Sequence, residues 1–477
     1  MATPTVTPPP PAPPLMTPPP YRRRSLAGPV VLITLGVIFL LGNMGMLSWG
    51  NIGYYFSRYW PLLLILWGVI KLFESWQAQR EGYRARGIGA GGVFLIIFII
   101  ILGSIATGVS KYGPGVVDDA GLQFGDDSTF IPLFGQKYTY TDNNSAALPP
   151  GGSLRINNDR GDVKVTVSND DKIHLIANSL VISHSEGDAQ KIREARAPHF
   201  STEGSIVVLS SNATGGVENA GNARVNMEIQ VPRKAALEIT TGRGDVRVIG
   251  RDGDVKLTTG RGDGQVEDVN GKAELHVRHG DVTANKVTGD LSIEGRVDDS
   301  TIADIGGQVE LRGDFFGSMN VSRVPKAVRF QSSRTDLEIA KLDGDMTMET
   351  GDLRVSALSG PVTLRSRSKD IRFENFSGDL NLDDSNAEID IRVTKLPVGN
   401  IDITNRNGQI NLTLPDKAAV TVDATVRNGD IRSEFPDVKV ENMRDTNHAS
   451  GKLGAGTASI RLRTEHGDID IRKSNMQ

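Results

Sequence analysis

Four Arg-Gly-Asp tripeptides, at 160–162, 243–245, 261–263 and 312–314, are the first residues in this chain that could do chemistry. A guanidinium and a carboxylate flanking one flexible residue could present paired charges to an integrin-type receptor. The tripeptides also have a plainer reading. Gly-Asp followed by an apolar-polar-apolar run recurs throughout the region after residue 150, and the slot before Gly also holds Asp, His, Thr or Ser. That pattern makes Gly-Asp the turn and Arg a common exposed neighbour. The turn residues singled out are Gly244, Asp245, Gly262, Asp263, Gly280, Asp281, Gly289, Asp290, Gly351, Asp352, Gly378 and Asp379. Gly is expected to supply a positive φ at the corner. Asp is expected to hydrogen-bond the local backbone.

A row of corner carboxylates raises the question of calcium. Calcium-binding nonapeptide repeats place Asp two residues after Gly, whereas here Asp follows Gly directly and the second Gly is often missing. No specific metal site is expected. His276 and His279, close to Asp281, are the best pair for metal or proton transfer, but no third ligand is evident, so both read as solvated surface. The chain has no cysteine, which excludes disulfides, thiolate metal sites and Cys nucleophiles. No phosphate loop, nucleophile elbow or zinc-protease helix is present. The expectation is a non-enzyme without cofactors. Net charge is −4, from 53 basic and 57 acidic residues, so no global basic field exists to recruit nucleic acid.

The elements that position these turns repeat. Turns of one type end at Asp245, Asp263, Asp281, Asp299, Asp314, Asp336, Asp352, Asp370, Glu388 and Gln409, about 18 residues apart. A second type, carrying Val269, Val287, Ile305, Leu342, Leu358 or Phe376 just before or near its Gly, falls midway between them. One coil is therefore about 18 residues with two strands. The strands alternate with period 2: Val246 and Val248, Leu291 and Ile293, Val309 and Leu311, Leu353 and Val355, Ile371 and Phe373, Ile410 and Leu412 point inward. Arg247, Lys256, Ser292, Glu310, Arg354, Arg372 and Asn411 point outward. A single coil cannot bury its own face, so neighbours must stack, with equivalent strands parallel. Hairpins are disfavoured, because an antiparallel sandwich has no reason to hold a fixed coil length. Residues 187–197 read as a short amphipathic helix, and 225–231 as a strand leading into the stack.

The first third of the chain is different. Residues 1–20 hold ten prolines and read as a flexible tail, so 1–25 is set apart as a disordered, cytoplasmic segment. Three apolar segments follow, at 26–47, 60–73 and 88–109, with aromatic residues at the ends of the second. Arg22, Arg23 and Arg24 precede the first segment, and Lys71, Arg80, Arg84 and Arg86 lie between the second and third. The positive-inside rule then puts the N-terminus in the cytoplasm and everything after about residue 110 outside. Residues 111–136 read as a linker and 137–477 as the extracytoplasmic domain.

Two resemblances follow from these residues. The stretch GPVVLITLGVIFLLGNMGMLSWG with YWPLLLILWGVIKLF resembles the LiaI–LiaF-like transmembrane region of bacterial envelope-stress proteins. The stretch RVNMEIQVPRKAALEITTGRGDVRV, the serial Gly-Asp strands and the closing GTASIRLRTEHGDIDI resemble a bacterial adhesin-type β-strand-repeat family, a domain of unknown function, over residues 137–473. That resemblance implies an all-β, parallel, right-handed β-solenoid outside the membrane, with no known catalytic residues. The whole chain is then a multi-pass protein of the bacterial cell membrane, held in the bilayer by three transmembrane helices over 26–110. Its solenoid would contact an envelope polymer or a protein partner. The alternative is a sensor or regulator of envelope stress acting through another protein.

Overall fold

The structure is a computed structural model that describes Val37 and residues 49–80, 90–112, 136–183, 185–213 and 223–474. The chain divides into an N-terminal helical unit and a β-rich unit that begins its regular structure at Gln136. In the first unit, Trp49–Arg80 is one 32-residue helix that carries Pro61 inside it. It is longer than the 60–73 segment expected. The second helix, Ala90–Tyr112, covers residues 90–109 of the third apolar segment. The indole Nε1 of Trp60 donates to Thr107 Oγ1 at 3.2 Å, and that hydroxyl donates to the carbonyl of Ser57 at 2.8 Å. Among the described residues, no helix is long and apolar enough to cross a membrane. The three spanning helices expected are thus not seen among the described residues. The first expected span, 26–47, lies outside the described residues except for Val37, as do the Pro-rich tail and most of the linker.

The β-rich unit follows from the period-2 alternation. In Val246–Arg251 and Val255–Arg261 the apolar positions are buried and the intervening Arg247 and Lys256 are exposed. Each such strand hides two or three β-branched or Leu side chains, worth roughly 1.5–3 kcal/mol apiece. The hidden face exists only because the next coil covers it. Ala236–Arg243, Val255–Arg261, Ala273–Val277, Leu291–Val297, Val309–Phe315 and Val328–Gln331 form one parallel ladder. Val246–Arg251, Gly264–Val269, Val282–Val287, Ser300–Ile305 and Met319–Val324 form the other. Every inward residue named from the sequence is buried. Of the outward set, Asn411 differs: it is buried, and its Oδ1 accepts from Gln409 Nε2 at 2.9 Å.

The parallel stack is interrupted at its centre, contrary to expectation. Thr335–Met348 runs backwards and pairs antiparallel with both neighbours in both ladders. One hairpin enters it, where Ser332 N donates to Thr335 O at 2.8 Å, and another leaves it, where Glu349 N donates to Asp352 O at 2.8 Å. Beyond it the parallel ladders resume through Asp352–Ser356 with Asp370–Phe376, and Leu358–Ser366 with Leu380–Asn386. Antiparallel strands also finish both ends. Gln136–Ala147 pairs with Lys172–Ser183, and Val420–Asn428 pairs with Asn447–Lys452. The helix expected over 187–197 is Glu186–Arg196, with Ser185 as its N-cap, and its Ala189 and Ile192 pack on Val181 and Ala223. Ala458–His466 inserts between Ile401–Asn407 and Val420–Asn428, so sequence order and spatial order part there.

Candidate functional site: the Gly-Asp corner

The first type of turn joins the two ladders at one corner of every regular coil. At that corner Gly244, Gly262 and Gly280 have φ of 130°, 132° and 144°. A Cβ on Gly262 would overlap the carbonyl oxygen of Gly244, and one on Gly280 would overlap that of Gly262. Glycine is therefore required twice over, for its backbone angle and for the close approach of the coil beneath. Contrary to the expectation from the sequence, the Asp that follows does not bond its own turn. Asp162 Oδ1 accepts from Asp245 N at 3.1 Å, and Asp245 Oδ1 from Asp263 N at 2.9 Å. Asp263 Oδ1 accepts from Asp281 N at 2.9 Å, Asp281 Oδ1 from Asp299 N at 2.9 Å, and Asp299 Oδ1 from Ser318 N at 2.7 Å. The turn carboxylate is thus a rung between coils. It satisfies a corner N–H that the strand ladders cannot reach.

The remaining turn residues divide. Asp290 lies at the opposite corner, and its Oδ1 accepts from Gln308 N at 3.0 Å. Asp379, after Gly378 at φ 104°, accepts from Asn400 N at 2.7 Å. Gly289 reaches no positive φ, yet a Cβ there would overlap Gly271 O. Gly351 and Asp352 belong to the hairpin after the reversed strand. Gly351 faces open space and Asp352 pairs with Arg354 at 3.4 Å, so this pair takes no part in the rungs. Further rungs were not singled out in the sequence: Asp254 to Lys272 N, Asp370 to Glu388 N and Asp468 to Asp430 N, each at 2.9 Å. The signal that could have found the first two is an Asp 18 residues before the donor, whether or not Gly precedes it. Asp268, Lys286, Asp304 and Arg323 adopt positive φ where the second ladder ends, and no composition rule pointed to them.

Three of the four Arg-Gly-Asp tripeptides stack in register, with Arg160 opposite Arg243 and Arg243 opposite Arg261. The fourth is no turn at all. It lies inside Val309–Phe315, where Gly313 pairs with Gly295 and Asp314 with Arg296. Stacked carboxylates about 4.8 Å apart repel one another. Loss of water between the flanking coils raises the Asp263 pKa. The N–H of Asp281 opposes that rise, and the charges of Asp245, Asp281 and Asp298 add to it.

The other polar groups do not converge. His276 Nδ1 lies 3.4 Å from Glu294 Oε2 on the outer face, and His279 is exposed in its turn. Asp170 is held down to about 2 by the Ser168 hydroxyl, the Lys172 N–H and His174. Arg251 is fully buried; its guanidinium donates to the carbonyls of Gly250, Pro232, Val231 and Thr166, and burial lowers its pKa to about 10. Asp384 is 2% exposed, and burial raises its pKa against the N–H of Asn386. Among the described residues, no three His, Asp or Glu gather as a metal-holding group.

This is a repeat scaffold of stacked two-strand coils, whose polar corner residues hold coil to coil. Residues 153–472 match the Toastrack DUF4097 family, well over half the chain, and the protein belongs to that family. Residues 27–117 match the LiaF transmembrane domain, which marks the N-terminal unit as a membrane region. Two solved structures are similar at low identity. One is a candidate cell adhesion protein from Clostridium sporogenes, at 10% identity over 71% of this chain and 100% of that one, with a TM-score of 0.18. The other is a candidate adhesin from Bacteroides fragilis, at 11% identity over 70% of this chain and 97% of that one, with a TM-score of 0.17. A search of curated proteins finds no match to the chain.

Proposed function

We propose that this protein is a membrane-anchored, non-catalytic envelope module whose right-handed β-solenoid contacts an envelope polymer or a protein partner. The observation that carries the reading is the use of the polar corner residues. The Gly-Asp carboxylates bond the backbone of the next coil, and among the described residues the turns that join the regular coils from Ala236 to Val324 are short. Parallel crossover connections favour the right-handed sense. The LiaF transmembrane match supports an anchor over 26–110, and the Lys and Arg distribution supports a cytoplasmic N-terminus with the solenoid outside.

The test is location plus capture. Asn143 is exposed in Gln136–Ala147, and the chain has no native cysteine, so Asn143→Cys gives a single reporter. An impermeant thiol reagent should label it in intact cells or spheroplasts, and cross-linking there should trap envelope material. Labelling only after lysis would reverse the topology. The same LiaF match favours a second reading, regulation of envelope stress through a partner protein. In that case residues 26–110 expressed alone should disturb a stress reporter, whereas a purely adhesive module would need its solenoid.

A further inference from the structure

The outer face of the second ladder loses its charge over three central strands, although 23% of the chain's residues are charged. On the first ladder nearly every strand presents a charge outward. Arg155 Nε sits 2.7 Å from Glu238 Oε2, Lys256 pairs in register with Glu238 and Glu274, and Arg329 Nη2 lies 3.0 Å from Glu338 Oε1. These rows neutralise themselves along the axis. The second ladder has an uncharged centre. The strands Val282–Val287, Ser300–Ile305 and Met319–Val324 present Thr283, Asn285, Thr301, Ala303, Asn320 and Ser322 in two files. Gln265 extends the first file on one side and Thr347 on the other, where its hydroxyl donates to Asn320 Oδ1 at 3.1 Å. The first file crosses five neighbouring strands, about 19 Å, whereas the second is bounded by Glu267 and Asp345, in register with Asn285 and Ser322.

Charges border this surface: Lys286 is exposed beside Asn285, while Arg323 and the corner aspartates are engaged. At the end of these strands Arg323 grips both Asp304 oxygens, at 2.6 and 2.9 Å. At the Gly-Asp corner the Asp281 and Asp299 carboxylates are rungs between coils. The same corner carries Phe316, 57% exposed, with the Arg296 guanidinium 5.9 Å from its ring centre. Phe316 is the aromatic among the large apolar side chains exposed in the described β-rich unit.

We infer that this uncharged face, with Phe316 at its rim, binds a neutral polysaccharide strand of the envelope. The inference rests on the proposed function and deepens it by naming the partner's chemistry. A neutral glycan presents hydroxyls that donate and accept, and C–H faces that are apolar. Thr, Ser, Asn and Gln side chains donate and accept in the same way. They need no ion to be stripped of water, which an Arg- or Glu-lined face would require. Thr is stiff at χ1, so little side-chain freedom is lost on contact. The Phe316 ring offers a flat surface for a sugar's C–H face. Each hydrogen bond is weak, so binding depends on many sugars engaging at once and favours polymer over monosaccharide. Because no ion pair forms, binding is insensitive to salt.

The test is retention of the full-length protein, in detergent or nanodiscs, on insoluble chitin, cellulose and cross-linked dextran, with heparin resin for comparison. Retention on at least one neutral resin is expected, equal at about 50 and about 500 mM salt. The double variant Thr283→Lys/Thr301→Lys should lose it about tenfold or more. Thr240→Lys/Thr258→Lys, the matching pair on the first ladder, should keep it. Thr301→Val, which keeps shape and charge, combined with Phe316→Ala, which removes the exposed ring without adding charge, should also weaken retention and guards against a misfolded lysine variant. Absence from every neutral resin overturns the inference, as does equal retention by both double variants or salt-sensitive retention on heparin alone. If cells still yield an envelope cross-link while no neutral resin binds, the glycan inference fails and the envelope-module reading survives.

Discussion

Asp263→Asn separates the two roles that a corner carboxylate can have. Asp263 Oδ1 accepts from Asp281 N at 2.9 Å, and its own N–H donates to Asp245 Oδ1 at 2.9 Å. Asn keeps a carbonyl acceptor in the same place, so the rung survives with a neutral acceptor. A charge-assisted bond is worth roughly 1.5–3 kcal/mol and a neutral one about 1, so the exchange costs about 1 kcal/mol, less at a wet corner. Against that, two like charges about 4.8 Å away each repel by about 0.9 kcal/mol in water, cut roughly in half by physiological salt. Removing both repulsions returns about 1 kcal/mol. The two effects nearly cancel, and Asp263→Asn should sit within about 0.5 kcal/mol of wild type. Asp263→Ala removes the acceptor and should cost about 1 kcal/mol. Asp263→Glu keeps charge, would abolish integrin-type recognition, and should cost only modest stability through the altered rung. Denaturant unfolding of the solenoid at low and high salt measures all three. Wild type should gain from salt more than Asp263→Asn does. Millimolar calcium should raise the melting temperature little, because only tight binding to the folded state stabilises by mass action. If Asp263→Asn costs as much as Asp263→Ala, and calcium adds ten degrees reversibly, the carboxylates hold metal and the rung argument is wrong.

Two further outcomes follow from burial and titration. Ile371 is 1% exposed and its neighbour Arg372 lies outside, 3.7 Å from Asp390. Ile371→Asp should cost several kcal/mol by burying an unpaired carboxylate, and Arg372→Asp about 1 kcal/mol or less; equal melting shifts would remove the inward and outward assignment. Asp384 and Asp263 have folded pKa values raised by burial, so ionising them costs the folded state. Stability should therefore fall as pH rises from the unfolded carboxylate value, about 3.9, through those raised values. Asp170, lowered to about 2, acts oppositely: its contribution is present above about 3.9 and is lost as pH falls toward 2. Unfolding midpoints from about pH 2 to about pH 7 check this, and Asp384→Asn should flatten the loss between about pH 4 and neutrality. An unchanged profile in that variant would mean Asp384 is not the group titrating.

Local spacing made much of the stack legible. Side-chain alternation reports which face is buried whatever the strand direction, so Leu291, Leu353 and Ile371 were placed correctly. Gly-Asp spacing reported coil length, because each corner must recur where the next coil lies. The same symmetry hid the reversed strand. Thr335–Met348 keeps period 2 while running backwards, and period 2 carries no direction. Only the Ser332–Thr335 and Glu349–Asp352 hairpins decide that, through hydrogen bonds between residues that sequence spacing treats as an ordinary turn.

The chain by itself determined a repeating strand pattern, its inward face, and glycine at the corner, since these depend on neighbours along the backbone. Tertiary structure decided what the turn aspartates do. Their partners are about one coil away in sequence, so a bond that looks local is an inter-coil rung. It also decided which outward residues share a face. Between residues 273 and 324, charged strands of one ladder and the uncharged strands of the other alternate along the sequence. Stacking sorts them, because strands adjacent in a ladder are separated in the chain by a strand of the other ladder.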